Sequence, residues 1–234
     1  TVSRNGMVFM SSSGLDWSPL LRGWLNKRSP SERDIILSIF EESFSNILRF
    51  ATQSLNFKMD ILEAVIVRQA CDLLEGLIPS EGATLSSNHF KKLYVFTVIW
   101  SIGALLEWDD RIKLQHFMQS GDENSFQLDM PALPEDSDDT VYDFMVDADG
   151  SWAHWNTKVE DWVYPSDETP EYGSILVPNV DNVRTEFLIN LIHKQEKQVL
   201  LIGEQGTAKT VMINSFLARF NPEVHMNKGF NFSS

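Results

Sequence analysis

The sequence of 234 residues has one cysteine, Cys71, so no intramolecular disulfide can staple it and a reducing compartment is the expected home. Cys71 falls inside an apolar helical pattern, which predicts a buried, inert thiol. The five histidines (His89, His116, His154, His193, His225) lack metal-ligand spacing and a cysteine partner, so no zinc site is expected. Long apolar runs are missing too. The longest, residues 94–106, has 13 residues and includes Ser101 and Gly103, short of the roughly 20 that span a bilayer. The amino terminus reads Thr-Val-Ser-Arg-Asn-Gly, not a basic start leading into an apolar stretch, so no secretory signal is expected. Bases are scarce: 19 Lys and Arg face 33 Asp and Glu, a net charge of −14. Such a chain is not built to neutralise nucleic-acid phosphates or anionic lipid, so neither nucleic acid nor membrane is an expected partner.

What is present suffices for a core. With 43% hydrophobic and 22% charged residues, the chain is too apolar for a disordered polyanion, and one or two folded units are expected. The acidity is local. Residues 107–172 hold 18 acids and three bases (Arg111, Lys113, Lys158), a net of −15, whereas the rest has 15 acids and 16 bases.

Residues 7–10 (MVFM) form a short apolar run after Asn5-Gly6 and before residues 11–14 (SSSG), which predicts one strand and then a loop. From Trp17 to about Met118 the period is helical. Ile35, Ile36, Ile39, Phe40, Phe44, Ile47 and Leu48 share one helix face, opened by the cap and first-turn chemistry of Ser29-Pro30-Ser31. Ile61, Leu62, Val65, Ile66, Leu73 and Leu77 mark a second face, ended by Pro79. Residues 90–106 are apolar nearly all round, which predicts the centre of a bundle of four or five helices.

Residues 119–140, with two prolines and little periodicity, read as a solvated loop or linker. Tyr142, Phe144 and Val146, then Asp149-Gly150, then Trp152 and His154 predict a small antiparallel hairpin, with positive φ at both Asp149 and Gly150. Asp147, Asp149 and Gly150 fit part of a calcium loop, but Met145 and Asn156 stand where the first and last ligands belong, so the ligand set fails. The aromatics Trp152, Trp155, Trp162 and Tyr164 sit among charges that repel phosphate, so packing against the helical unit is expected instead of base stacking. From Ile175 onward the pattern reads strand or loop, helix (Val183 to about Lys194), strand (residues 198–202), glycine-containing turn, and helix to about Phe220. That order opens an α/β unit.

The turn carries the chemistry. Gly203-Glu204-Gln205-Gly206-Thr207-Ala208-Lys209-Thr210 fits a phosphate-binding loop in the relaxed form GxxxxAKT, preceded by an apolar run and followed by a helical one. Backbone N–H groups of such a loop, with the N-terminus of the next helix, supply donors and partial positive charge to a polyphosphate. Gly203 and Gly206 permit the turn and the close approach. Lys209 would pair with the β and γ phosphates, and Thr210 would place its hydroxyl on Mg²⁺. Ala208 replaces the last glycine and adds only a methyl, tolerable in helical conformation. The bland alternative is an ordinary strand-to-helix turn. A hydrolysing P-loop fold also needs a second, acidic strand and several more strands, and residues 211–234 offer only residues 230–232 without a carboxylate. This stretch alone is therefore expected to hold nucleotide without turning it over.

Residues 1–10 with Leu15-Asp16-Trp17, residues 175–184 (ILVPNVDNVR), residues 200–210 (LLIGEQGTAKT) and residues 230–234 (FNFSS) resemble, in order, motifs of dynein heavy chains, most nearly the axonemal, outer-arm kind. The resemblance implies an AAA+ fragment of mixed α and β structure. Residues 1–14 would end the large subdomain of the second module of the motor ring, and residues 15–118 would be its helical small subdomain. Residues 119–174 would be an acidic junction with the hairpin, and residues 175–234 the start of the third module. Arg4 would act as an arginine finger in the preceding site, and Asn5 departs from the cysteine many dyneins carry there. Val177 and Pro178 would lie beside the adenine ring. The implied cofactors are ATP or ADP and Mg²⁺. The implied partners are neighbouring AAA+ modules, other dynein heavy, intermediate and light chains, and microtubules. The implied place is the cytoplasm and cytoskeleton, in the axoneme of a cilium or flagellum, within an ATP-driven, minus-end-directed motor. The loop without the resemblance would also suit a free-standing kinase or GTPase, and the acidic segment a non-catalytic interaction module.

Overall fold

In the structure of the chain, a computed structural model, residues 16–79, 85–124, 126–164, 175 and 177–230 are described. The strand expected at residues 7–10, and Arg4, lie outside them. The chain divides between Ala153 and His154 into two compact units.

The first unit is helical. Of its helices α1 (Ser18–Leu25), α2 (Pro30–Ser54), α3 (Glu63–Leu77), α4 (Ser87–Ile102) and α5 (Trp108–Asn124), α2 and α3 pack against α4, α1 packs against α2 and α3, and α5 packs against α2; a single 3-10 turn, Gly103–Leu105, links α4 to α5. α2 starts as its sequence predicts: the Ser29 hydroxyl accepts the Glu32 N–H at 3.4 Å, and Pro30 sits where its missing N–H is no loss. α4 is buried at Phe90 and at every position from Leu93 to Ile102, the central helix expected from its all-round apolar sequence. Each such large side chain withdrawn from water contributes about 1.5–3 kcal/mol. Aromatic contacts tie the neighbours to it: Phe40 meets Tyr94 edge-on at 4.8 Å and Phe44 at 5.1 Å, and Ser43 and Tyr94 share a hydroxyl hydrogen bond of 2.7 Å. Burial pushes the Tyr94 phenol well above its ordinary range, against the smaller opposing effect of the Ser43 contact.

Three expectations change. The buried face of α3 is Ile66, Val67, Ala70, Cys71, Leu73 and Leu74, while Leu62 and Val65 point to solvent, because the helix begins only at Glu63 and its phase follows the later residues. The Cys71 thiol is buried, as expected. α5 runs on to Asn124, and the segment after it is not simply solvated. Phe126 and Pro131 are buried, Phe126 lies 6.0 Å from the Phe117 ring, and the Trp152 indole donates to the Asp129 carbonyl at 3.1 Å. A few apolar side chains thus lay an irregular acidic segment onto the bundle.

The hairpin is present as β1 (Phe144–Val146) and β2 (Trp152–His154). Its turn differs from the expected two-residue form. The Gly150 N–H donates to the Asp147 carbonyl at 2.9 Å, the Asp147 N–H donates to the Ser151 carbonyl at 2.8 Å, and only Gly150 (φ +81°) is left-handed. This is a three-residue loop with a bulge glycine. Lys92 of α4 donates to the Gly150 carbonyl at 3.0 Å, and a Cβ on Gly150 would come within 2.9 Å of the His89 ring. Glycine is therefore needed both for its φ and for the fit of the tip against α4.

The second unit holds the 3-10 turn Trp155–Lys158, α6 (Val180–His193) and α7 (Lys209–Leu217), with Trp155 packed edge-on against Phe187 of α6 at 5.2 Å. Among the described residues no helix is long and apolar enough to cross a membrane, and no group of three or more His, Cys, Asp or Glu is placed to hold a metal.

Candidate functional site

The phosphate-loop sequence lies between an apolar segment and α7. Residues 198–202, expected as a strand, carry no regular secondary structure and belong to no ladder among the described residues. A strand exists only with a neighbour to bond to, and here Val199, Leu200 and Ile202 are exposed at 42, 73 and 62%. A turn at Gln205-Gly206 follows, with Gly206 at φ +81°, and α7 begins at Lys209. The first turn of α7 leaves backbone N–H groups without intrahelical acceptors, facing the loop with the positive end of the helix dipole. The turn-and-helix part of the expectation therefore holds. α7 ends at Leu217, and Phe220 donates to the Leu217 carbonyl in a tightened last turn.

Ala208 corrects a second expectation. It is the N-cap of α7 at φ 57°, ψ 12°, left-handed and not yet helical. The consensus glycine belongs at this position because an L side chain there costs roughly 1–2 kcal/mol.

Lys209 and Thr207 knit the loop. The Lys209 ammonium donates to the carbonyls of Gly203 (2.9 Å) and Glu204 and to the Thr207 hydroxyl (2.9 Å), and that hydroxyl donates to the Glu204 carbonyl at 2.9 Å. A Cβ on Gly203 would lie 3.2 Å from Thr207 Oγ1 and 3.7 Å from the Lys209 ammonium, a tight fit that a larger residue would meet only by shifting the Thr207 side chain. Glu204, Gln205, Gly206, Thr207 and Thr210 are all exposed, with Thr210 in the first turn of α7. These features fit a polyphosphate: an accessible loop, one ammonium bonded within it, a hydroxyl one residue on, and the N-terminus of a helix.

Val177 and Pro178 lead into α6. The Asn179 side chain caps that helix by accepting the Asn182 N–H at 2.9 Å, and the Asn182 amide donates to the Val177 carbonyl at 3.3 Å. α6 starts at Val180, three residues before its expected start, because of this cap. α6 and α7 are joined by a two-pronged ion pair of Arg219 with Glu186 (2.8 Å on one prong) and by His193, which meets the Phe216 ring at 5.4 Å. Periodicity did not single out Asn179, Asn182, Glu186, Arg219 or Thr207. The Pro-Asn step was a legible cap signal, but a pair 33 residues apart has none.

A helical unit followed by a phosphate loop at a helix N-terminus defines the class as an AAA+ fragment of mainly helical structure with a small sheet. Residues 36–157 match the dynein heavy chain AAA lid domain, and residues 164–234 match the P-loop containing dynein motor region. The chain belongs to the dynein heavy chain family. It is 52% identical over its full length to dynein axonemal heavy chain 5 of Rattus norvegicus and 50% identical to dynein axonemal heavy chain 8 of Mus musculus. It is 35% identical to the dynein gamma chain, flagellar outer arm, of Chlamydomonas reinhardtii, which agrees with the outer-arm type. The chain spans only 5–7% of the length of these relatives.

Proposed function

We propose that the chain is part of the motor ring of an ATP-driven, minus-end-directed microtubule motor of the axoneme, and that residues 203–210 hold ATP or ADP in it. The observation that carries this reading is the Lys209 ammonium, held at the mouth of an exposed loop where α7 begins. Backbone N–H groups of the loop and of the first turn of α7 receive the phosphates, Lys209 pairs with the β and γ phosphates, and Thr210 directs its hydroxyl to Mg²⁺. The Asn182 amide on the Val177 carbonyl fixes the approach of Val177 and Pro178 to α6, which supports their assignment beside the adenine. Mg²⁺, when bound, neutralises phosphate charge; this chain's residues bind and orient.

The division into residues 1–14, 15–118, 119–174 and 175–234, as module end, small subdomain, junction and module start, belongs to the same proposal. So does Arg4 as the finger of the preceding site. Neighbouring modules, other dynein chains and microtubules are the proposed partners. The words "axonemal" and "flagellar outer arm" in the relatives' names support a place in a cilium or flagellum. These residues by themselves are proposed to bind nucleotide without hydrolysing it.

The test uses the full-length heavy chain. Lys209→Ala is expected to abolish nucleotide occupancy at this loop while the preceding module's site stays filled, read by azido-nucleotide crosslinking mapped to peptides. Unchanged labelling of this module would refute the loop assignment.

A further inference from the structure

An ammonium has three N–H donors, and the loop gives that of Lys209 three acceptors: the carbonyls of Gly203 and Glu204 and the hydroxyl of Thr207. A phosphate oxygen that pairs with Lys209 must therefore displace one of them. The two carbonyls belong to the turn backbone and move only with it. The Thr207 hydroxyl is different. It sits on an exposed side chain, its proton is committed to the Glu204 carbonyl at 2.9 Å, and a lone pair faces the ammonium at 2.9 Å. That side chain, by turning about one bond, releases Lys209 without leaving a buried group unsatisfied.

We propose that Thr207 Oγ1 occupies, in the loop as folded here, the place of a phosphate oxygen on Lys209. Thr207 thereby sets nucleotide affinity by competing with the phosphate. The inference rests on the reading of residues 203–210 as a nucleotide site. It carries a sign that a bracing role does not: removing the hydroxyl strengthens binding, whereas removing a brace weakens it.

In the full-length heavy chain, Thr207→Val keeps the β-branched shape and deletes the acceptor. The ADP concentration that half-protects this module from azido-nucleotide crosslinking is expected to fall about two- to tenfold, the worth of one exposed hydrogen bond. Thr207→Ala should shift it in the same direction, and Thr207→Ser, which restores the hydroxyl, should match the parent. Unchanged or weaker ADP protection in both hydroxyl-deleted variants, with Lys209→Ala still abolishing labelling, would overturn the competition and leave the nucleotide site standing. If Lys209→Ala leaves labelling unchanged, the site assignment fails and the competition with it.

Discussion

A methyl group at Ala208 occupies a backbone position where glycine would be at ease. Its φ of 57° is one of two positive values among the described non-glycine residues, the other being Glu196. Replacing it with glycine removes roughly 1–2 kcal/mol of left-handed strain but returns about 0.4–1 kcal/mol through the freer unfolded chain. Ala208→Gly is thus expected to slow hydrogen exchange of the Met212 N–H, which donates to the Ala208 carbonyl at 2.9 Å, by roughly two- to fivefold, a net gain of about 0.5–1 kcal/mol. Exchange that is unchanged or faster would show that the loop carries no such strain. The sequence pattern exposed the substitution itself, but the conformation that makes it matter is visible only in three dimensions.

Among the elements, the join between α2 and α5 turns on one carboxylate. Asp110, in the first turn of α5 and nearly buried, accepts the Lys113 ammonium at 2.6 Å and, at 2.9 and 3.2 Å, the backbone and side-chain N–H groups of Asn56. Those donors, Lys113 first, hold its carboxyl below the ordinary range. A depressed folded-state value means the stabilisation is present above the unfolded value of about 3.9 and is lost as pH falls through the lower folded value. Asn56 amide exchange, taken relative to the intrinsic rate at each pH, is therefore expected to quicken in acid in the parent. In Asp110→Asn it should be faster at neutral pH and lack that acid step. An acid step of equal size in the variant would assign it to another group.

The same elements show what was legible. Helix existence followed from the 3.6-residue apolar period of α2 and the all-round apolar run of α4, and the start of α2 from Ser29-Pro30. The phase of α3 did not, because Leu62 and Val65 fit the same period one turn too early. Gly103 looked like a defect in an apolar run, yet a Cβ there would meet the Tyr142 ring and hydroxyl at 2.5–2.9 Å, a packing constraint set by a residue far along the chain. The loop was legible because residues 203–210 are contiguous. Its internal bonding was not, because side-chain rotamers do not follow from spacing.

For the whole molecule, the charge is uneven in a way that bears on function. The −15 of residues 107–172 precedes the proposed nucleotide loop in the sequence, and the remaining residues are close to neutral, so the acidity is not a feature of the residues proposed to handle phosphate. The ring-level prediction concerns Arg4. In the full-length heavy chain, Arg4→Ala is expected to slow hydrolysis at the preceding module by about a thousandfold or more, the usual worth of an arginine finger. Normal turnover would make Arg4 an ordinary surface residue.

The unpaired apolar run at residues 198–202 also has a consequence for how such a chain is made. Its exposed Val199, Leu200 and Ile202 offer apolar side chains and ladder groups to whatever strand arrives first. On a ribosome, where the chain grows at about 5–20 residues per second, such a run stays open until a partner strand emerges. The segment that leads into the phosphate loop is thus also a place where a nascent chain is open to mispairing and gains from a chaperone's cover.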